Sequence, residues 1–147
     1  MSGTTVSAVR QVAFSQYQRD GVLTVFPGDN PAGVPFPIAR VFTISGVPAG
    51  GARGDHAHRA CSQLVVCLTG QADVRVDDGD AVRTVVLDTA AVGLLIPPGL
   101  WNVITFARAA TVVAVFCDQP YDEADYIRDR AQFLLAKGKP RASTDAR

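Results

Sequence analysis

Gly50-Gly51-Ala52-Arg53-Gly54-Asp55-His56-Ala57-His58, followed by Gln63 and Gly70, holds both histidines of the chain in a single His-x-His. On a β-strand, side chains two apart leave the same face. A strand through this stretch aims both imidazoles into one cavity, with Arg53 and a Gly-rich turn close by. That is the geometry of a site.

On either side of it, residues 21–117 read as short β-branched or aromatic runs punctuated by Gly, Pro and Asp. These are Val22–Phe26, Ile38–Ile44, Gln63–Thr69, Ala72–Val76, Val82–Asp88, Gly93–Ile96, Val103–Phe106 and Thr111–Cys117. Turn signals at Gly70-Gln71 and Asp77-Asp78-Gly79-Asp80 separate some of them and predict antiparallel pairing. About eight strands in two Greek keys make a jelly roll. After Pro120 the period changes: Tyr126/Ile127, Ala131 and Leu134/Leu135 share a helical stripe that ends at Lys137-Gly138. The expected fold class is therefore all-β, a jelly-roll β-barrel with one C-terminal α-helix packed outside it. The first ten residues and Lys139–Arg147 lack periodicity and are expected to fray.

The 147 residues, with 14 Lys+Arg balancing 14 Asp+Glu, fit a single domain spanning 1–147 whose ordered core runs from about 20 to 137. Balanced charge without a basic run argues against nucleic acid or an anionic membrane as partner. The apolar runs Ala90–Ile96 and Thr111–Cys117 fall far short of the roughly 20 residues of a spanning helix, and no charged-then-apolar leader opens the chain. A soluble, cytoplasmic protein is expected. Cys61, Cys67 and Cys117 form no CxxC pair and no even set, which predicts buried reduced thiols.

The spacing Gly50, His56, His58, Gln63, Gly70 resembles the first motif of the cupin jelly rolls, and Pro97-Pro98-Gly99-Leu100-Trp101-Asn102 resembles the second. The resemblance makes the expected barrel cupin-like. A metal cupin would use His, His, Glu and His at these places. Here Gln63 and Asn102 replace the carboxylate and the third imidazole, leaving two strong ligands and no charged one. Catalytic sites usually keep at least three protein ligands, so no metal is expected. Two converging imidazoles without metal are candidates for proton transfer, since an ordinary His titrates near pH ~6.5. The competing reading has both rings merely bonded to core carbonyls.

Further stretches narrow the resemblance: Pro35-Phe36-Pro37-Ile38-Ala39-Arg40-Val41, Arg53–His58, Asp77-Asp78-Gly79, Ala91-Val92-Gly93-Leu94 and Tyr121-Asp122-Glu123-Ala124-Asp125-Tyr126-Ile127-Arg128. Together, from about Asp20 to Lys137, they resemble the metal-independent nucleotide-sugar 3,4-ketoisomerases. The resemblance implies isomerisation of dTDP-4-keto-6-deoxyglucose to a 3-keto-6-deoxyhexose, in deoxyaminosugar biosynthesis. Such an α-hydroxy ketone passes through an enediol and needs no redox cofactor. On this reading His56 is the carbon base and His58 relays or orients a proton, the two roles being exchangeable from sequence. Arg53 stabilises the enediolate or binds diphosphate. Arg40 either reaches the diphosphate or makes a salt bridge on the barrel wall. Gln63 contacts a substrate hydroxyl or makes a buried structural bond, and Trp101 stacks on the base or sugar or simply packs.

The chain departs from that family at three places. Phe42 and Thr43 stand where tyrosines are usual, Asn102 where a histidine is usual, and Asp20-Gly21 at an Arg-Gly turn. Thr43 and Asn102 are retained as substrate-facing candidates, whereas Tyr17 reads as a surface residue. The charged tail Tyr121–Arg128 reads as a solvated helix face and is left out of the site. The resemblance also implies a homodimer whose amino-terminal strands pair across the interface. Rival readings are a catalytically silent sugar-nucleotide-binding cupin, a metal-dependent cupin enzyme, and a nucleotide-sugar epimerase. The last would need a His–Asp pair and an acidic Tyr, which two histidines alone do not locate.

Overall fold

The β-branched runs form ladders. In the computed structural model, which describes residues 3–139, the chain passes through β1 (Arg10–Ala13), β2 (Gln16–Gln18), β3 (Val22–Thr24), β4 (Arg40–Ile44), β5 (Ala52–His58) and β6 (Gln63–Thr69). It continues through β7 (Ala72–Asp77), β8 (Val82–Leu87), β9 (Val92–Ile96), β10 (Trp101–Phe106), β11 (Val112–Cys117) and β12 (Tyr126–Ile127) to α1 (Arg130–Ala136). One five-stranded sheet has the order β1-β9-β6-β11-β4 and the other β12-β5-β10-β7-β8, with β2–β3 a separate hairpin. Every pairing is antiparallel.

The main core lies between the sheets, where Val65, Cys67, Val74, Val76, Leu94, Ile96, Phe106 and Val115 meet. Burying each large apolar side chain contributes about 1.5–3 kcal/mol. β6 reads as an unbroken apolar run because both its faces are covered. Leu64 and Val66 turn outward, under Phe14, Val34, Phe36 and Phe116. All three cysteines are buried and free, as expected.

Three expectations need correction. The jelly roll does not close into a barrel, because side chains rather than backbone ladders bridge the seams. At one seam the Arg83 guanidinium donates to the Val9 carbonyl across 2.7 Å. Nor do the first ten residues fray throughout: Val9 is buried, Val6 N–H donates to Asp78 Oδ2, and Lys137 Nζ donates to the Thr4 carbonyl. Finally, Tyr126 and Ile127 are not helical. They pair with His58 and Ala57 as a short sheet-edge strand, burying Ile127, and the helix starts only at Arg130, where the Asp129 carboxylate accepts from Ala131 N–H. The helix does pack outside the sheets, through Phe133 against Trp101, Ala57 and Ile127. It stops as predicted, with Gly138 at φ +73° and Lys139 N–H donating to the Leu134 carbonyl.

Gly70, last residue of the first cupin-like motif, turns the chain from β6 into β7 at φ +85°, and a Cβ there would sit 2.7 Å from Thr111 Cα. The fully buried Thr111 hydroxyl meanwhile accepts from Gln71 N–H. Gly70→Ala therefore combines left-handed strain with overpacking and should lower stability by about 2 kcal/mol or more. Urea denaturation checks this; a midpoint equal to that of the parent protein refutes it.

Candidate active site

β5 is poor strand material, Ala-Arg-Gly-Asp-His-Ala-His, and is held by its neighbours rather than by propensity. β10 pairs along one edge and the short β12 along the other. His56 faces Asn102 across the first ladder, and His58 faces Tyr126 across the second. Between them a cavity of about 440 Å³ opens, lined by Arg53, His56, Gln63, Asn102, Tyr126 and Arg128, with Phe42 and Thr43 on the opposite wall. Its size suits a small-molecule site.

His56 reaches the cavity as a neutral imidazole. Burial chiefly, then the neighbouring His58 and Arg128, push its pKa down to about 4. His58 lies behind it, 3% exposed, with ring centroids 5.0 Å apart in an edge-on arrangement. Its Nδ1 is 2.8 Å from Asp125 Oδ2. Burial lowers the His58 pKa although Asp125 pulls the other way. Burial raises the Asp125 pKa, but hydrogen bonds from His58 and from the Ala60 amide outweigh it and leave the carboxylate ionised. The shared proton therefore sits on Nδ1 and leaves Nε2 bare; among the described residues that buried nitrogen has no partner.

Tyr126 packs its ring on both imidazoles, 5.0 Å from His56 and 4.4 Å from His58. Arg128 stands 4.3 Å over the same ring and is clamped by Glu123, Nε to Oε1 at 2.7 Å and Nη2 to Oε2 at 3.0 Å. That clamp, with the Tyr121 hydroxyl, brings the exposed Glu123 carboxyl down to about 2. The guanidinium is thus fixed at the cavity's edge.

Of the residues read from sequence, His56, Arg53, Gln63, Asn102 and Thr43 line one cavity, and His58 backs it. Gln63 is buried and donates to Cys117 Sγ at 3.8 Å; Asn102 is buried and reaches the His56 carbonyl at 3.4 Å. Arg40 does not make the salt bridge that was one of its two expected roles. It meets no carboxylate among the described residues, and it donates to Cys117 Sγ at 3.6 Å while stacking on Phe42 and Tyr121. The neighbouring Cys61 and then Arg40 draw the Cys117 thiol below its ordinary value, against the effect of burial. Trp101 does not line this cavity. It points to the outer face of its sheet, packed on Phe133 at 5.5 Å between centroids. Successive residues of a strand alternate faces, so Asn102 could face the cavity only if Trp101 did not.

Sequence reading missed Asp125, Tyr126 and Arg128 by assigning their segment to a solvated helix face. Tyr126 and Arg128 stand two apart, the same strand period that singled out the histidines, and Asp129 is a ready N-cap one residue later. The His–Asp pair that the histidine count failed to locate is also present, beside a tyrosine. As for metal, His58, Cys61 and Asp125 each offer a ligand atom within 4.8 Å of the others, but His58 Nδ1 is already hydrogen-bonded to Asp125 Oδ2. The cavity set of His56, Gln63 and Asn102 carries no anion to balance a divalent ion.

Residues 5–138 match the family model described as FdtA, WxcM-like, C-terminal. The chain is 38% identical over 100 residues to the TDP-4-oxo-6-deoxy-alpha-D-glucose-3,4-oxoisomerase of Aneurinibacillus thermoaerophilus, covering 68% of this chain and 72% of that one. Among solved structures it is similar to QdtA, a sugar 3,4-ketoisomerase from Thermoanaerobacterium thermosaccharolyticum in complex with TDP, with TM-score 0.85, 29% identity, and coverage of 91% of this chain and 97% of that one. It is also similar to WlaRA, a TDP-fucose-3,4-ketoisomerase from Campylobacter jejuni, with TM-score 0.81, 25% identity, and coverage of 88% and 96%. Matched over nearly its whole described length, and carrying His56 on its cavity wall with His58 directly behind it, the chain belongs to the sugar 3,4-ketoisomerase family.

Proposed function

We propose that this protein isomerises TDP-4-keto-6-deoxyglucose to a TDP-3-keto-6-deoxyhexose by proton transfer through an enediol. The observation that carries this reading is a neutral, cavity-facing His56 backed by a second imidazole whose tautomer is set by Asp125. In the same family, QdtA carrying a histidine-to-asparagine substitution has been seen with TDP-4-keto-6-deoxyglucose bound.

His56 removes the C3 hydrogen as the C4 ketone oxygen takes up a proton, giving the 3,4-enediol. Loss of the C3 hydroxyl proton and protonation of C4 then leave the ketone at C3. No electron enters or leaves, so no redox partner is needed. His58 receives or returns protons through its bare Nε2, with Asp125 stabilising the imidazolium. Tyr126, standing against both rings, supplies a phenol to the sugar oxygens. It thereby offsets the tyrosines that Phe42 and Thr43 replace. Arg53 and Arg128 at the edge of the cavity neutralise the diphosphate, while Gln63 and Asn102 hold sugar hydroxyls.

The protein works as a cytoplasmic homodimer on this reading. Support comes from the β2–β3 hairpin, which pairs with neither large sheet and exposes Tyr17, Val22 and Leu23 at 57–62%. A lone two-stranded hairpin is marginal in water, and an apolar one invites a second copy.

Incubation with TDP-4-keto-6-deoxyglucose in deuterated water, followed by NMR, should give a 3-keto product deuterated at C4. TDP binding without exchange would favour the silent cupin instead. His56→Asn should lower turnover by about 10²–10⁴-fold, the usual contribution of a general base, while TDP affinity stays close to the parent's. Undiminished exchange in that variant would assign the carbon base elsewhere.

The pH profile carries a signature of its own. Because His56 is held at about 4, kcat/KM should stay level well below the ordinary histidine value of ~6.5 and fall only as pH approaches 4. Stability should behave with the same sign. The unfolded chain binds more protons than the native state between the two values, so stability drops as pH falls through that window. An acid limb near 6.5 in the rate profile would show His56 to be unperturbed. For the assembly, Leu23→Asp should convert a dimer to a monomer in light scattering at micromolar concentration; an unchanged mass would remove the hairpin from the interface.

A further inference from the structure

The cavity wall of β5 breaks the alternation of a regular strand. Arg53 precedes His56 by three residues and His58 by five, so plain pleating keeps the two imidazoles together and sends Arg53 to the opposite face. The register against β10 shows what reverses this. Asn102 pairs with His56 and Val103 with Gly54, so Asp55 has no opposite number and bulges out of the ladder. Beyond the bulge Arg53 pairs with Ile104, and both line the cavity.

Two consecutive left-handed residues form the bulge, Gly54 at φ +89° and Asp55 at φ +63°. A Cβ on Gly54 would stand 3.0 Å from Asn102 Oδ1, so a side chain at the first position is both strained and crowded. Asp is among the few side chains that tolerate the second. Its carboxylate also accepts a hydrogen bond from Trp101 Nε1 at 3.1 Å. Trp101 is an immobile anchor, 5% exposed and packed on Phe133 of α1, with Arg130 over both rings. The imidazole end of β5 is pinned separately, by its pairing with β12 and by Gly99 N–H donating to the His58 carbonyl.

We propose that Asp55 is a positioning residue: its left-handed backbone and its bond to Trp101 lock the extra residue of β5 in place, and so carry Arg53 onto the cavity wall beside His56 and His58. Without the lock, the extra residue migrates into the Gly50-Gly51 turn. Ala52–Gly54 then slip by one and Arg53 rotates away from the cavity. The inference rests on the assignment of Arg53 to the diphosphate given above. It gives Trp101 a role on the face away from substrate, as the anchor of a tether.

Because Trp101 is the only tryptophan in the chain, its single indole N–H resonance reports the tether independently of activity. In wild type and Asp55→Asn, which keeps an acceptor and a left-handed preference, the indole proton should exchange slowly and TDP should bind with comparable affinity. In Asp55→Val the indole proton should lose protection and TDP affinity should fall about tenfold, with Asp55→Gly, which keeps the backbone but not the bond, between them. The same Val change placed on Arg53→Ala should weaken binding by no more than about twofold further, because both changes remove the same contact. Penalties that multiply in the double variant, or wild-type TDP affinity in Asp55→Val, would falsify the proposal. Should wild-type protein bind no TDP at all, the functional assignment falls; the indole signal then decides the tether alone, and protection unchanged in Asp55→Val overturns it.

Discussion

The bond between His58 Nδ1 and Asp125 Oδ2 joins residues 67 positions apart and fixes more than one imidazole. Asp125 also accepts from the Ala60 amide, and its carbonyl accepts from Arg59 N–H, so the carboxylate and its backbone clamp the end of β5. That clamp lays the two-residue β12 along β5, which puts the Tyr126 ring against both histidines and leaves Arg128 at the cavity's edge. A two-residue strand has little stability of its own. It is held because its side chains complete a buried polar network whose alternative, an unpaired carboxylate and imidazole at low dielectric, is costly.

The same cavity treats its two histidines differently. His56 meets the open space and is kept neutral mainly by burial, whereas His58 is more deeply buried but has a carboxylate to lean on. Separation of environments is how one fold obtains distinct proton-transfer roles from identical side chains. The two histidines, whose roles are exchangeable on sequence, differ in position: one ring faces the cavity and the other Asp125.

Ladders such as β6 and β11 were legible because long-range pairing there only ratifies a local pattern of β-branched residues. The glycines and histidines of the first motif were legible for a similar reason: their spacing is local and their geometry follows from pleating. What escaped was whatever depends on contacts between distant segments. Tyr126 and Ile127 satisfy a helical stripe as well as a strand, and only Ala57 and His58 across the ladder decide between them. Arg53 belongs to the cavity solely because one residue bulges, and a bulge changes which face every preceding side chain occupies. Residue type leaves Arg40 between diphosphate and a salt bridge and Trp101 between stacking and packing, and it does not reveal that they bond Cys117 and Asp55. A guanidinium paired to a thiol, in place of a carboxylate, is not a pattern that charge spacing reveals.

Lys137 binds the carbonyls of Thr4 and Gly99, so the last turn of the helix is tied to the very beginning of the described chain. Combined with the Asp125 clamp on β5, this orders the chain's assembly in time. A chain growing from its amino terminus exposes β5 with both of its edges vacant, since β10 and β12 have yet to be made. Thr4 likewise waits for an ammonium 133 residues downstream. Closure over so long a loop is entropically slow to nucleate, and it places the finishing of the catalytic wall among the latest events of folding. Until then the strand carrying both histidines lacks a partner along at least one edge, and an unpaired edge is a template for mispairing.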